Sequence, residues 1–378
     1  MRQNDSLKNF AYVTVGNTIG TALQAGFYLM FGAFLDPKDY GLLNYIIALA
    51  GTVSVLSRFG LPFTSVIYQA KGNYVLSNQA TVFGLITTSV AAIILIPIEQ
   101  NAALLCFASS LFVINLQNLL GEKKYKKYLL VYLLKSASII ALPFLLYFVL
   151  EIPGILLGMS IGNLVASTNF FRTLSLNVNS FRNLKSDYRV IIQNFSVDAS
   201  SSLSRTADKL FIVPFFGLTS AALYQLNLQI MLAVAILPMS LYSYLLSEES
   251  SGKKHNTINL FVIIISVLIA LAVVFISPNI IEQFFPKYTQ GILGLQVIII
   301  SVIPISINSI LTAKLQAAQS TKVGLASLTK IVSLLVLIIV LGETYSVVGL
   351  SIAVLFSLCF ESILLFILYK KLRSIMRY

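Results

Sequence analysis

INLFVIIISVLIALAVVFIS, residues 258–277, carries no charged side chain, and Asn259, Ser266 and Ser277 are its only strongly polar ones. Twenty residues at about 1.5 Å each cover ~30 Å, the thickness of a bilayer's hydrocarbon core. In lipid, only a helix or a closed barrel satisfies its own backbone, and a run this continuously apolar predicts a helix. Its flanks differ: Lys253 and Lys254 precede it, whereas Glu282 and a single Lys287 follow.

Outward from this segment, further apolar stretches occupy 10–35, 41–61, 79–98, 101–121, 127–149, 154–172, 190–215, 219–246, 291–312, 323–342 and 346–370. The first is longer than a signal-peptide core and lacks an obvious small-residue cleavage site, so it is read as a retained helix. The sequence therefore predicts an all-α polytopic membrane protein with twelve transmembrane helices. Composition agrees, with 57% hydrophobic and only 11% charged residues, where a soluble chain carries about a quarter charged.

The basic residues fix the expected orientation. Of 26 Lys and Arg, only Lys38 and Lys287 fall in loops after odd-numbered stretches, and Lys135, Arg205, Lys209 and Lys330 lie inside stretches. The other 20 sit at the N-terminus, in loops after even-numbered stretches or at the stretch ends that border them, and in the C-terminal tail. The positive-inside rule then places both termini in the cytoplasm, with the protein in the cytoplasmic membrane. The net charge of +12 needs no partner beyond anionic membrane lipids, and no nucleic acid is implied.

Cys106 and Cys359 are lone residues within apolar spans, read as packing residues, and His255 lies in a polar loop. No phosphate-binding Gly-rich loop, H-E-x-x-H or Cys/His cluster is present, so no cofactor, ATP hydrolysis or catalytic metal is expected. Membrane-embedded polymerases and glycosyltransferases tend to carry a large outer loop or a cytoplasmic catalytic domain. All loops here are short, which argues against an enzyme.

A basic linker, 173–189, divides the chain into an N-terminal six-helix bundle (1–172) and a C-terminal one (190–378). The halves resemble each other weakly. Lys127 and Lys135 open the fifth stretch as Lys322 and Lys330 open the eleventh. An acidic outer loop follows each (Glu151; Glu343), and then a Gly-x-Ser-Ile core, with Gly158, Ser160 and Ile161 against Gly349, Ser351 and Ile352. Six helices per half give the repeats the same orientation, an arrangement in which transporters place their site between halves.

Further motifs carry a family resemblance. Phe34-Leu35-Asp36-Pro37-Lys38-Asp39-Tyr40-Gly41-Leu42 is followed by Arg58-Phe59-Gly60-Leu61. Later come Ala207-Asp208-Lys209-Leu210-Phe211-Ile212, Leu223-Tyr224, Phe285-Pro286-Lys287-Tyr288 and Leu315-Gln316-Ala317-Ala318. In order and spacing the chain, over about residues 7–370, resembles the Wzx-type polysaccharide flippases of the multidrug/oligosaccharidyl-lipid/polysaccharide exporter superfamily. The resemblance implies a MATE-like fold, two pseudo-symmetric six-helix bundles around a central cavity. It also implies translocation of a polyprenyl-pyrophosphate-linked oligosaccharide for surface polysaccharide biosynthesis, beside a polysaccharide polymerase and glycosyltransferases. The lean length sets the chain apart from lipid II flippases, which often carry two further helices.

Charges at membrane depth rarely face lipid. In the seventh stretch, Asp198, Arg205, Asp208 and Lys209 share one helical face at about 100° per residue. Either Arg205 neutralises Asp208 at i,i+3, or the face lines a cavity in which Arg205 and Lys209 meet an anionic headgroup. Lys135 and Lys330 either snorkel to the interface or form a symmetry-related pair suited to a pyrophosphate. Arg58 is a topology signal or part of an entry gate. Glu361 is a coupling site or a partner for a Lys.

The first stretch carries the polar stripe Thr14, Asn17, Thr18, Thr21 and Gln24, which either bonds neighbouring helices or offers donors and acceptors to sugar hydroxyls. Gly16 and Gly20 on a neighbouring face suit close packing. Gln225, Gln229 and Asn44 make similar, weaker cases. Pro143, Pro238 and Pro304 should kink or break their helices. An ion-coupled drug or metabolite antiporter of the same fold is the alternative function, but that class usually uses a carboxylate-rich cavity.

Overall fold

The computed structural model describes residues 3–168, 187–250, 256–317 and 323–375. The expected linker 173–189 lies almost wholly outside the described residues. The helices are α1 (Gln3–Phe34), α2 (Pro37–Arg58), α3 (Leu61–Ala70), α4 (Tyr74–Leu95), α5 (Gln100–Gly121) and α6 (Tyr125–Ala166). Then follow α7 (Tyr188–Ser250), α8 (Asn256–Phe284), α9 (Ile292–Ile298), α10 (Val302–Ala317) and α11 (Val323–Ile375). Short 3-10 turns at Pro286–Gly291 and Ile299–Ser301 flank α9. No strand occurs among the described residues.

Three helices are too long for one crossing. The 42 residues of α6 would measure about 63 Å at helical rise, twice the bilayer core. The 63 residues of α7 and 53 of α11 exceed it further. Each contains one residue with non-helical angles: Glu151 (φ 54°, ψ −134°), Gly217 (φ 81°, ψ 171°) and Ser346 (φ 51°, ψ −132°). Each is therefore a pair of spans joined by a one-residue break. Among the described residues, eight helices are long and apolar enough to cross a membrane. With the broken ones counted as pairs, and α1 included, the elements are consistent with twelve crossings. The polar stripe of α1 explains why its hydropathy alone does not mark it.

The one-residue breaks fall away from the prolines. Among the described residues the non-helical positions in α6, α7 and α11 are not at Pro143 or Pro238. Pro143 stays within α6, packed against Gly158. Pro304 lies in the first turn of α10, just after the 3-10 turn Ile299–Ser301, whose last carbonyls are bonded by the backbone N–H groups that cap the turn.

The register of the internal match also changes. Glu151 and Ser346 lie 195 residues apart, as do Lys135 and Lys330. A Cβ on Gly154 would collide with the Leu146 carbonyl, and one on Gly349 with the Leu341 carbonyl. Those pairs, 154 with 349 and 146 with 341, are again 195 apart. The Gly158–Ile161 match to Gly349–Ile352 is therefore one helical turn out of step. Gly154 is the structural counterpart of Gly349, because only glycine admits that carbonyl at the turn.

The second apolar stretch is interrupted as well. Phe59 (φ 48°) and Gly60 (φ 66°) end α2 and start the separate helix α3. Gly60 faces the backbone of Asn194 and Phe195, leaving no room for a Cβ. Pro62 sits in the first turn of α3, where its lack of N–H costs nothing.

The chain packs as two compact units. One comprises Met1–Phe27 and Ile46–Ala207, the other Tyr28–Tyr45 and Asp208–Tyr378. In the first, α5 and α6 bury Phe112, Leu116, Leu119, Tyr128, Val131 and Ala166 together. Hydroxyl pairs such as Ser54–Ser110 (2.7 Å) and Ser65–Ser77 (3.0 Å) tie its helices. In the second, α10 and α11 bury Leu311, Leu315, Ala326 and Leu365, and Ser266 meets Ser306 at 2.6 Å. Large apolar side chains, among them Ile93, Ile94, Phe261, Phe275 and Val332, stand exposed. Such a surface is stable when the surrounding solvent is hydrocarbon.

Candidate functional site

In the first unit, Arg58 closes α2 and is buried. Its Nη1 donates to Ser54 Oγ at 2.7 Å and its Nη2 to Asp198 Oδ2 at 3.4 Å, while Nε has no hydrogen-bond partner. Asp198 Oδ1 accepts from Ser202 Oγ at 3.2 Å. Arg58 is thus a buried counter-ion rather than a surface charge. Nearby, Asn194 donates to Thr64 Oγ1 (2.9 Å) and Tyr68 to Asp187 (2.6 Å), fastening the start of α7 to α3.

Lys135 differs. Its Nζ lies 5.5 Å from the Phe112 ring centroid and 5.9 Å from that of Tyr132. No acidic side chain among the described residues pairs with it. Phe112 stands nine residues before the end of α5, about 14 Å along the helix axis. The ammonium therefore sits against rings at depth instead of reaching back along its stem to the interface. Aromatic faces attract a cation without neutralising it.

The polar stripe of α1 is resolved into separate faces. Gly16 and Gly20 abut Leu129 and Tyr132 of α6, where a Cβ on Gly20 would overlap the tyrosine ring. Asn17, Thr18, Thr21 and Gln24 are exposed. Asn17 Oδ1 accepts from Tyr128 Oη at 2.8 Å.

In the second unit, the break at Gly217 folds α7 back on itself and brings Tyr224 onto Asp208. Tyr224 Oη donates to Asp208 Oδ2 at 2.8 Å. Lys209 Nζ donates to Oδ1 at 2.9 Å and Oδ2 at 3.2 Å, and the Lys209 backbone N–H to Oδ1 at 2.9 Å. All three residues are buried.

The Ser346 break similarly sets Lys330 against Glu361 at 3.5 Å. Glu361 Oε2 accepts from Asn308 Nδ2 at 3.0 Å and Oε1 from Ser327 Oγ at 3.3 Å. Ser362 Oγ donates to Asn308 Oδ1 at 2.6 Å, which fixes that amide's orientation.

Two sequence motifs prove to be partners. Tyr288 Oη donates to the Leu35 carbonyl at 3.2 Å, and its ring meets Tyr40 edge-on at 6.0 Å. Lys287 Nζ lies 2.7 Å from Asp36 Oδ1. Gly41 faces the Leu218 carbonyl at a distance only glycine permits. The Leu35–Gly41 and Phe285–Tyr288 landmarks thus form one cluster in the second unit.

No family model and no curated sequence matches the chain. Solved structures do. A multidrug resistance MATE family transporter of the MOP superfamily, in an inward-facing conformation, superposes with TM-score 0.69 at 14% identity, covering 98% of this chain and 99% of the other. The lipid II flippase MurJ, in an inward closed conformation, gives 0.76 at 15% identity, with 94% and 87% covered. A MOP superfamily transporter from Pyrococcus furiosus gives 0.57 at 14%, with 98% and 96% covered. The chain has the MATE-type fold.

Within that fold, the residues singled out from sequence have unequal surroundings. Lys209 is not a free cation, because the adjacent carboxylate of Asp208 chelates it. Asp208 has Lys209 and Tyr224 as partners, and the Arg205 side chain lies outside the described residues. Gln225, Gln229 and Asn44 are buried rather than presented on an open face. Sequence reasoning missed Tyr224, Asn308, Ser327 and the rings around Lys135. Gly217, lying between Asp208 and Tyr224, was the one local hint that the latter two could meet.

Proposed function

We propose that this protein is a flippase that carries a polyprenyl-pyrophosphate-linked oligosaccharide across the cytoplasmic membrane by alternating access, as a step in surface polysaccharide biosynthesis. The observation that carries the reading is Lys135. An ionised side chain at membrane depth costs roughly 3 kcal/mol on insertion scales and marks a functional position by default. Arg58, Lys209 and Lys330 each have a carboxylate within 4 Å. Among the described residues Lys135 has the faces of Phe112 and Tyr132 and no carboxylate, which leaves its charge available to a ligand's phosphate oxygens. The exposed polar row Asn17, Thr18, Thr21 and Gln24 supplies donors and acceptors of the kind that hydroxyl-rich sugars use. The fold supports the same reading, since one of its neighbours is a lipid II flippase.

In this mechanism the two six-helix halves, 1–172 and 190–378, alternate access with both termini in the cytoplasm, and the lipid chain never leaves hydrocarbon. Lys330 and Arg205 also serve the headgroup, and a polymerase and glycosyltransferases act before and after. The antiporter alternative draws less support, because Asp198, Asp208 and Glu361 are each already engaged by a cation.

The test is Lys135→Ala beside Lys135→Arg, read as surface polysaccharide and as membrane abundance. Lys135→Ala should cut export with abundance unchanged, and Lys135→Arg should keep part of it. Full export by Lys135→Ala would overturn the assignment.

A further inference from the structure

The two repeat lysines have opposite environments, and the 195-residue register shows which substitutions cause this. Glu361 corresponds to Ala166 and Ser327 to Tyr132. The first half therefore has an alanine and a tyrosine where the second has a carboxylate and a hydroxyl; Lys135 meets rings, and Lys330 meets Glu361. Glu361 does not depend on Lys330 for its position. Asn308 and Ser327 hold it from neutral donors at 3.0 and 3.3 Å, and Lys330 is the most distant of the three at 3.5 Å. Asn308 is itself anchored: Ser362 donates to its Oδ1, and its Nδ2 also donates to the Leu358 carbonyl.

A carboxyl group so held keeps its site in either protonation state, because a neutral carboxyl still accepts from both donors. Only the attraction to Lys330 is lost on protonation. The other elements packed on this part of α11 add no competing charge among the described residues. On α10 the titratable side chain is Lys314, which lies over the Tyr369 ring at 5.6 Å, two turns beyond Glu361. The segment α9 has none.

We infer that Glu361 is a proton-binding site that governs whether Lys330 is available to an anionic ligand. Ionised Glu361 holds Lys330; with a proton on Glu361, Lys330 is released to phosphate oxygens. By linkage, anion binding and proton uptake reinforce each other by the same factor. Lys330 is then a conditional anion ligand of the second unit, offered only when Glu361 carries a proton. This inference rests on the proposed lipid-pyrophosphate reading for the identity of the anion.

The test uses the full chain in nanodiscs, with undecaprenyl pyrophosphate as probe and inorganic pyrophosphate in parallel to separate headgroup from chain. Affinity is measured from alkaline to acidic pH for the native protein, Glu361→Gln, Lys330→Gln and the double variant. The probe's own titration is common to all and cancels between them. Relative to Glu361→Gln, the native protein should lose affinity as pH rises, by at most about tenfold per pH unit, the limit for one linked proton. Lys330→Gln and the double variant should follow one curve. Parallel curves for native protein and Glu361→Gln would overturn the inference and leave the flippase reading standing. No binding of either probe by the native protein at any pH would overturn both. Should Glu361→Gln fail to fold, calorimetry of the native protein in two buffers of different ionisation enthalpy decides the matter. Uptake of up to one proton per bound probe, at a pH where the probe keeps its charge, supports the inference, and none refutes it.

Discussion

Replacing Lys209 by Met removes the ammonium 2.9 Å from Asp208 Oδ1 while retaining most of the aliphatic stem. At that separation the attraction is about 6 kcal/mol for an effective dielectric of ~20. Breaking a buried pair from one side costs roughly 3–5 kcal/mol once the surroundings relax. Tyr224 and the Lys209 backbone N–H still donate to the carboxylate, so the loss should fall near the lower bound, about 3 kcal/mol. Tyr224→Phe removes one hydrogen bond and should cost only about 0.6–1.7 kcal/mol, the range for such bonds between membrane helices. Lys209→Met with Asp208→Asn removes both charges and should return to within about 1 kcal/mol of the parent. Thermal unfolding of the purified variants, beside membrane abundance and surface polysaccharide, checks all three. Lys209→Met at parental stability but without export would refute the reasoning, because the ammonium would then serve a ligand rather than Asp208.

Three further outcomes follow from the same geometry and charge pattern. Membrane-impermeant thiol reagents applied to sealed cells should label Lys287→Cys and spare Lys253→Cys; the reverse pattern would invert the topology. Arg205→Gln leaves the bonds from Lys209 and Tyr224 to Asp208 in place, so abundance should hold, and depletion cured by adding Asp208→Asn would show that Arg205 is the true counter-ion. Gly154→Ala and Gly349→Ala should each lower stability by about 1–3 kcal/mol or more through overpacking against a carbonyl, and a silent Gly154→Ala would dissolve the 195-residue register.

The repeat illustrates how far sequence reasoning reaches. Lys135 and Lys330 were legible as equivalents because lysine is rare in apolar helices and a shared eight-residue interval stands out. The accompanying Gly-x-Ser-Ile match was misleading, since glycine, serine and isoleucine are common in membrane helices and a one-turn slip keeps the same face. The correct partner, Gly154, is marked by backbone proximity to Leu146, which no residue pattern records. The break between α2 and α3 was likewise hidden, because Phe59, Gly60 and Leu61 prolong an apolar run while the left-handed angles end the helix.

Helical spans, their number and the basic bias of alternate loops follow from sequence alone, because the bilayer imposes length and orientation on each segment separately. Polar faces such as that of α1 follow too, since helical period is a local property. Pairing of charges does not. Lys330 looks as free as Lys135 along the chain, and only the folding back of α11 at Ser346 sets Glu361 against it, as that of α7 at Gly217 sets Tyr224 against Asp208. Lys135 meets aromatic rings and no carboxylate among the described residues, and Ala166 and Tyr132 occupy the positions that in the other half hold Glu361 and Ser327. The Lys330–Glu361 contact spans 31 residues of chain, and contact at such separation is created by packing.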